Sequence, residues 1–153
     1  MKPLVVLILT FCLSLGILWI VQGEMNYTLS ARIALSIMFI FTAIGHFAFS
    51  KGMTLMLPDF VPFKKAIVYL TGILEILFAI GILIPAYQVP TGWTIIVFLI
   101  LILPSNIYAA VRHLDIQKAT FDGNGLAYLW FRIPMQLLLL TWTYFSTIGP
   151  IHL

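Results

Sequence analysis

The chain contains one cysteine, Cys12. A single thiol excludes an intramolecular disulfide, a CxxC redox pair and a cysteine-rich metal site. Histidine is also sparse, and of His46, His113 and His152 only His46 falls within an apolar stretch. A haem held between helices wants two facing histidines, so neither a haem nor a metal centre is expected. Charge is the scarcest commodity: Asp, Glu, Lys and Arg make up 8% of the residues, where a soluble domain carries about 25%. What remains is 62% hydrophobic, with a mean hydropathy of +1.11, which is the composition of a membrane protein. The pI near 9.2 does not point to nucleic acid, because the basic residues stand singly at the ends of apolar segments and form no patch.

Five apolar stretches follow one another at residues 3–21, 33–49, 66–84, 93–111 and 126–148. At about 1.5 Å per residue each approaches the roughly 30 Å hydrocarbon thickness. Backbone groups in lipid must be paired within the segment, so each stretch is expected to be a helix. The expectation is an all-α membrane protein, an antiparallel transmembrane helix bundle forming a single domain over 1–153, with no room for an extramembrane domain. Turn chemistry separates the stretches at Gln22-Gly23-Glu24-Met25-Asn26, Pro58 to Pro62, Pro85 to Pro90 and Asp122-Gly123-Asn124-Gly125.

Orientation follows from the basic residues at the span ends. A cytoplasmic N-terminus puts Lys2, Lys51, Lys64, Lys65, Arg112 and Lys118 inside and Arg32 alone outside, with His152 and Leu153 ending the chain outside. Tyr27, Tyr87 and Trp93 then fall at the outer interface, and Phe60, Phe63, Tyr69, Tyr108 and Tyr128 towards the inner one. The first stretch has a second reading as a secretory signal cleaved near Val21-Gln22-Gly23. Its apolar run exceeds the usual 7–15 residues of a signal core, roughly speaking, which favours a retained helix.

Polar residues inside the stretches gather at one depth. His46, Glu75, Asn106 and Arg132 all lie in the half towards the lysine-rich ends, on four different stretches. A charge at bilayer depth costs roughly 2.5–3.5 kcal/mol, so Glu75 and Arg132 are expected to meet in a shared interior, as a structural ion pair or as part of a ligand or proton site. His46 either bonds to its neighbours or shuttles protons with Glu75. Asn106 serves as interhelical glue or as a ligand contact. Gly72, Glu75 and Ala79 share one face, so a neighbouring helix can approach closely there. Tyr128, Arg132, Gln136 and Thr143 form a polar stripe on the fifth stretch. Pro104 and Pro134 cannot donate to the carbonyls of Ile100 and Trp130, which frees two acceptors and kinks both helices beside the same level. The segment from Met56 to Lys65, with two prolines and apolar side chains, is expected in the membrane interface, as an anchor or as a cap on the polar centre.

Gly45-His46-Phe47, Leu57-Pro58-Asp59-Phe60-Val61-Pro62, Val68-Tyr69-Leu70-Thr71-Gly72 with Glu75-Ile76-Leu77, Leu103-Pro104-Ser105-Asn106-Ile107-Tyr108-Ala109 and Trp130-Phe131-Arg132-Ile133-Pro134-Met135-Gln136 together resemble the DoxX family of small bacterial membrane proteins. The resemblance runs from about Arg32 to Phe145 and implies a four-helix DoxX-like core, residues 32–145, to which the first stretch is an N-terminal addition. It implies site residues at His46, Glu75, Asn106, Arg132 and Gln136, and a home in the bacterial plasma membrane. The family takes its name from a subunit associated with a terminal quinol oxidase and with thiosulfate oxidation, and animal relatives resemble receptor assembly factors. Phe78 departs from the family pattern, which often has a small residue after Glu-Ile-Leu.

Three functions compete on these residues. In the first, the protein is an accessory component of a quinone-linked redox system, binding a quinone or another lipid-soluble molecule beside Glu75 and taking electrons from a membrane or peripheral oxidoreductase subunit. The chain itself shows no flavin, nicotinamide, iron–sulfur or haem signature. In the second it is an assembly or interaction protein whose polar cluster is structural. In the third it is a small-solute carrier, a reading weakened by the lack of an internal repeat. The lipid bilayer is the expected partner in all three, nucleic acid in none, and each allows a homo-oligomer.

Overall fold

A computed structural model describes residues 2–149, which form helices joined by turns and irregular segments, with one isolated bridge between Asp115 and Thr120. The helices are α1 (Lys2–Gln22), α2 (Tyr27–Ala48), α3 (Ser50–Thr54), α4 (Lys64–Gly81), α5 (Gln88–Val111) and α6 (Ala127–Thr143). A 3₁₀ turn, Pro85–Tyr87, leads into α5, and a π-helical turn, Tyr144–Ile148, prolongs α6. Among the described residues three segments are long and apolar enough to cross a membrane: Lys2–Gln22, Tyr27–Ala48 and Pro85–Val111. The expected positions of His152 and Leu153 lie outside the described residues.

Helix boundaries shift from the sequence expectation for local reasons. α2 begins at Tyr27 rather than at residue 33 because the Asn26 side chain accepts from the Leu29 amide and caps the helix early. Arg32 is thereby inside α2, not on its flank. α5 begins five residues before Trp93, since Pro90 sits in its first turn, where a missing amide proton costs nothing. α4 starts at Lys64 and stops at Gly81, so residues 82–84 are a turn. The short α3 was not anticipated. Residues 57–63 are non-helical, as the two prolines require, with Phe63 held at a φ of +51°. Both Pro104 and Pro134 are accommodated inside continuous helices.

α1 packs on α2, α2 on α4, and α5 on α6. In lipid the apolar effect between helices vanishes, so close fit and interhelical hydrogen bonds must hold them. At the α2–α4 contact a Cβ added to Gly72 would stand 2.8 Å from His46 Cβ, and the Ser36 hydroxyl donates to Ala79 O at 2.8 Å. Phe39, Phe78 and Phe98 fill the centre edge to face, with centroids 5.9 and 5.3 Å apart along the row. Leu35, Met38, Ile82, Ile95 and Leu99 complete this core.

The connections on either side of the core are distinct. On one side Gly52 of α3 lies against Ile116, and Asp59 meets both Lys64 and Arg112; this is the lysine-rich side. On the other, Gly92 of α5 lies against Thr147, and Arg32 reaches Ser146.

Candidate functional site

Glu75 lies in the middle of α4 and is 5% exposed. Its neighbour is His46, near the end of α2, whose Nδ1 is 3.3 Å from Glu75 Oε2. The same nitrogen is 3.1 Å from Thr42 O. A carbonyl only accepts, so Nδ1 carries the proton and aims it back along α2. Glu75 Oε2 is consequently close to an imidazole by distance yet receives no aligned hydrogen bond. The tight α2–α4 approach at Gly72 sets this geometry.

Arg132 stands elsewhere. Its Nε donates to Asn106 Oδ1 at 3.1 Å, and its guanidinium lies 5.7 Å over the Tyr128 ring one turn earlier on α6. Ion-pair distance to Glu75 is not reached: among the described residues the carboxylate's charged neighbour is His46. The expected Glu75–Arg132 pair is therefore corrected to two pairs, His46–Glu75 across α2 and α4 and Asn106–Arg132 across α5 and α6. The reason is the packing, in which α4 closes on α2 through small residues while α6 closes on α5.

Asn106 is 1% exposed and half used. Its Oδ1 takes the Arg132 proton while its Nδ2 donates to nothing in the protein. Gln136 is buried and its Nε2 donates to Leu99 O, one residue before the carbonyl that Pro104 frees. That bond ties the two proline-containing helices together. Gly72 and Ala79, expected to allow close approach, both lie in the α2–α4 contact. Phe78, one turn beyond Glu75, stacks between Phe39 and Phe98 and closes the site towards the opposite side of the molecule.

The layer towards the lysine-rich side, here the inner layer as against the outer one at the opposite side, thus holds two unanswered polar atoms of opposite character, the acceptor Glu75 Oε2 and the donor Asn106 Nδ2. Among the described residues no three of His, Cys, Asp and Glu gather closely enough to hold a metal ion. Sequence reasoning missed Asp59, which joins Lys64 at 2.9 Å and Arg112 at 3.5 Å. Lys64 first, and then Arg112, hold its carboxyl below the usual carboxylate range. It also missed the outer polar layer, where Ser14, Arg32 and Trp142 donate to the backbone carbonyls of Ser30, Ser146 and Ala31. Arg32 had carried only a topological meaning. Its position inside the helix was the available signal.

A family model described as a domain of unknown function (DUF8561) matches residues 35–147. The chain belongs to that family. The DUF8561 region contains all five site residues and leaves α1 outside it. No curated protein and no solved structure matches the chain.

Proposed function

We propose that this DUF8561 member is a DoxX-like, five-span protein of the bacterial plasma membrane, N-terminus inside, that serves a quinone-linked redox system. In this reading α4 and α6, with its π-helical extension, cross the bilayer beside the three more apolar helices, as four-helix core and N-terminal addition. The DoxX-like motifs all fall within residues 35–147, which supports treating that region as one functional unit.

The observation that carries the proposal is the pair of buried, unanswered atoms. Leaving a buried polar atom unpaired costs about 1–3 kcal/mol, and more for a charged one. A quinol could donate one hydroxyl to Glu75 Oε2 and accept with the other from Asn106 Nδ2, whereas the oxidised quinone, which only accepts, would need Glu75 to carry the proton. A quinone would supply reversible uptake of two electrons and two protons, with electrons coming from a partner oxidoreductase. Glu75 would hold one proton at Oε2, beside His46 as a second proton carrier. Arg132 would keep Asn106 aimed, and Gln136 would keep α6 against α5. The aromatic row of Phe39, Phe78 and Phe98 would exclude water from the far side.

The test is the absorbance spectrum of the protein after gentle extraction. A quinone that co-purifies with the native chain and is lost in Glu75→Gln, with helix content unchanged, is the expected outcome. A second reading, an assembly protein with a structural cluster, is favoured by the bonds already made from Arg132 to Asn106 and from Gln136 to Leu99. It predicts that Glu75→Gln keeps its partner and that no small molecule is bound in either form.

A further inference from the structure

On the lysine-rich side, away from the Glu75 layer, an open cleft of about 460 Å³ is lined by Ser50, Lys51, Thr54, Lys64 and Lys65. The three lysines, the serine and the threonine belong to two separate elements, α3 and the start of α4, and the Thr54 hydroxyl donates to Lys51 O at 2.7 Å. One of the three charges is partly answered: Lys64 Nζ is 2.9 Å from Asp59, which Arg112 shares. Lys65 lies 5.8 Å over the Tyr69 ring, and both Lys51 and Lys65 are exposed.

This cleft runs against the ordinary electrostatics of a helix. The first turn of α4 has no acidic residue, and its preceding residue, Phe63, offers no side chain to the free amides. Lysines occupy its first two positions, at the end where the helix dipole already favours negative charge. Lys51 adds a third positive group from across the cleft. A neutral or cationic occupant would deepen the imbalance. An anion would relieve it.

We propose that the cleft binds a phosphate group, held by Lys51, Lys64 and Lys65 with Ser50 and Thr54 as its hydroxyl lining. Phosphate offers several acceptor oxygens to the three ammonium groups, and its charge suits Lys51 and Lys65, which among the described residues have no carboxylate within ion-pair distance. It is either the headgroup of an anionic phospholipid or a free phosphoryl compound. Phe60 and Phe63, each 84% exposed beside the cleft, match a lipid source, because these rings can enter the acyl boundary while the lysines meet the headgroup.

The experiment uses the full chain in nanodiscs of phosphatidylcholine mixed equally with phosphatidylglycerol, followed by native mass spectrometry of the phospholipid retained. Phosphatidylglycerol is expected to be kept in preference to phosphatidylcholine. Lys51→Gln with Lys65→Gln is expected to lower that retention about thirtyfold, roughly fivefold per lysine. Lys51→Arg with Lys65→Arg keeps it, and so does the control Lys2→Gln with Lys118→Gln. The second arm adds inorganic phosphate to the chain in phosphatidylcholine alone and reads protection of Lys51 and Lys65 from amine acylation. Retention of phosphatidylglycerol without protection by phosphate assigns the site to a lipid headgroup, whereas protection by phosphate assigns it to a free phosphoryl compound. Equal retention of both lipids together with no protection overturns the proposal, as does a control variant that loses as much lipid as the cleft variant.

Discussion

The outer and inner polar layers of this protein are built from similar residue types and end in different states. In the outer layer the hydroxyl of Ser14, the guanidinium Nε of Arg32 and the indole of Trp142 each donate to a backbone carbonyl of a neighbouring element. Thr147 likewise donates to Thr143 O, and of this layer the Thr143 hydroxyl is left unanswered. In the inner layer side chains meet side chains, and a carboxylate oxygen and an amide nitrogen are left over. An unpaired neutral hydroxyl is a minor cost. An unpaired carboxylate oxygen is a larger one. The difference teaches that polar content does not distinguish glue from a site, whereas the balance of donors and acceptors does.

Close approach is the first means of breaking the comparison. Gly72→Leu places side-chain atoms where His46 Cβ already stands, and because that atom is fixed to the α2 backbone the two helices must part. A loss of about 3 kcal/mol is expected, the upper end of overpacking costs, read by thermal unfolding in detergent. Gly92→Ala in the outer layer meets the Thr147 hydroxyl, which can turn aside, and the Thr147 Cβ at 3.0 Å, which has to give by a few tenths of an ångström. Its loss is expected to be about 1 kcal/mol, the value of the Thr147 bond that is sacrificed.

Charge removal should separate the layers next. Arg132→Met leaves buried Asn106 with both ends of its amide unpaired and is expected to cost about 2 kcal/mol. Arg32→Met removes one bond to Ser146 O from a half-buried position and is expected to cost about 1 kcal/mol or less. Equal losses at the two arginines, measured by the same unfolding assay, would erase the distinction drawn between the layers.

Glu75→Gln should change unfolding by less than about 1 kcal/mol, since the oxygen concerned has no aligned donor to lose. Its effect belongs to bound small molecules. The smallest effect is expected at the lysine-rich side. Asp59 has a carboxyl held below its usual range by Lys64 and then Arg112. A depressed folded-state value contributes stability that is complete above the ordinary carboxylate value of about 4 and fades as pH falls towards the folded-state value. Asp59→Asn should abolish that acid-side dependence in the order of residues 57–63, followed by hydrogen exchange, and leave the inner layer unmoved.

Much of the helical layout was legible because it depends on local quantities. Runs of apolar residues and the prolines and glycines between them placed α1, α4 and α6 with its π-helical extension within a few residues. The errors arose where a side chain or a proline extended a helix, at Asn26 and Pro90, or where a short interfacial turn such as α3 carried no periodic signal. Four of the five site residues, His46, Glu75, Asn106 and Arg132, could be grouped by depth from sequence alone, and Gln136 by its place on the stripe with Arg132. Their partners could not. Depth along a helix is a matter of counting at a fixed rise, but which face meets which neighbour depends on rotation and on the choice of packing partner. Opposite charge argued for Glu75 with Arg132, whereas the fit of Gly72 against His46 turned the carboxylate to α2.

The sequence by itself determined that the chain is helical and apolar, because a backbone with so few polar side chains around it must satisfy its own hydrogen bonds within each segment. It also determined that a small set of polar residues shares one depth. Only the tertiary structure decided that His46 stands beside Glu75, that Asn106 accepts from Arg132, and that one oxygen and one nitrogen of that layer are left without a hydrogen bond. Those outcomes are set by angstrom-scale contacts between distant segments, which no local pattern encodes.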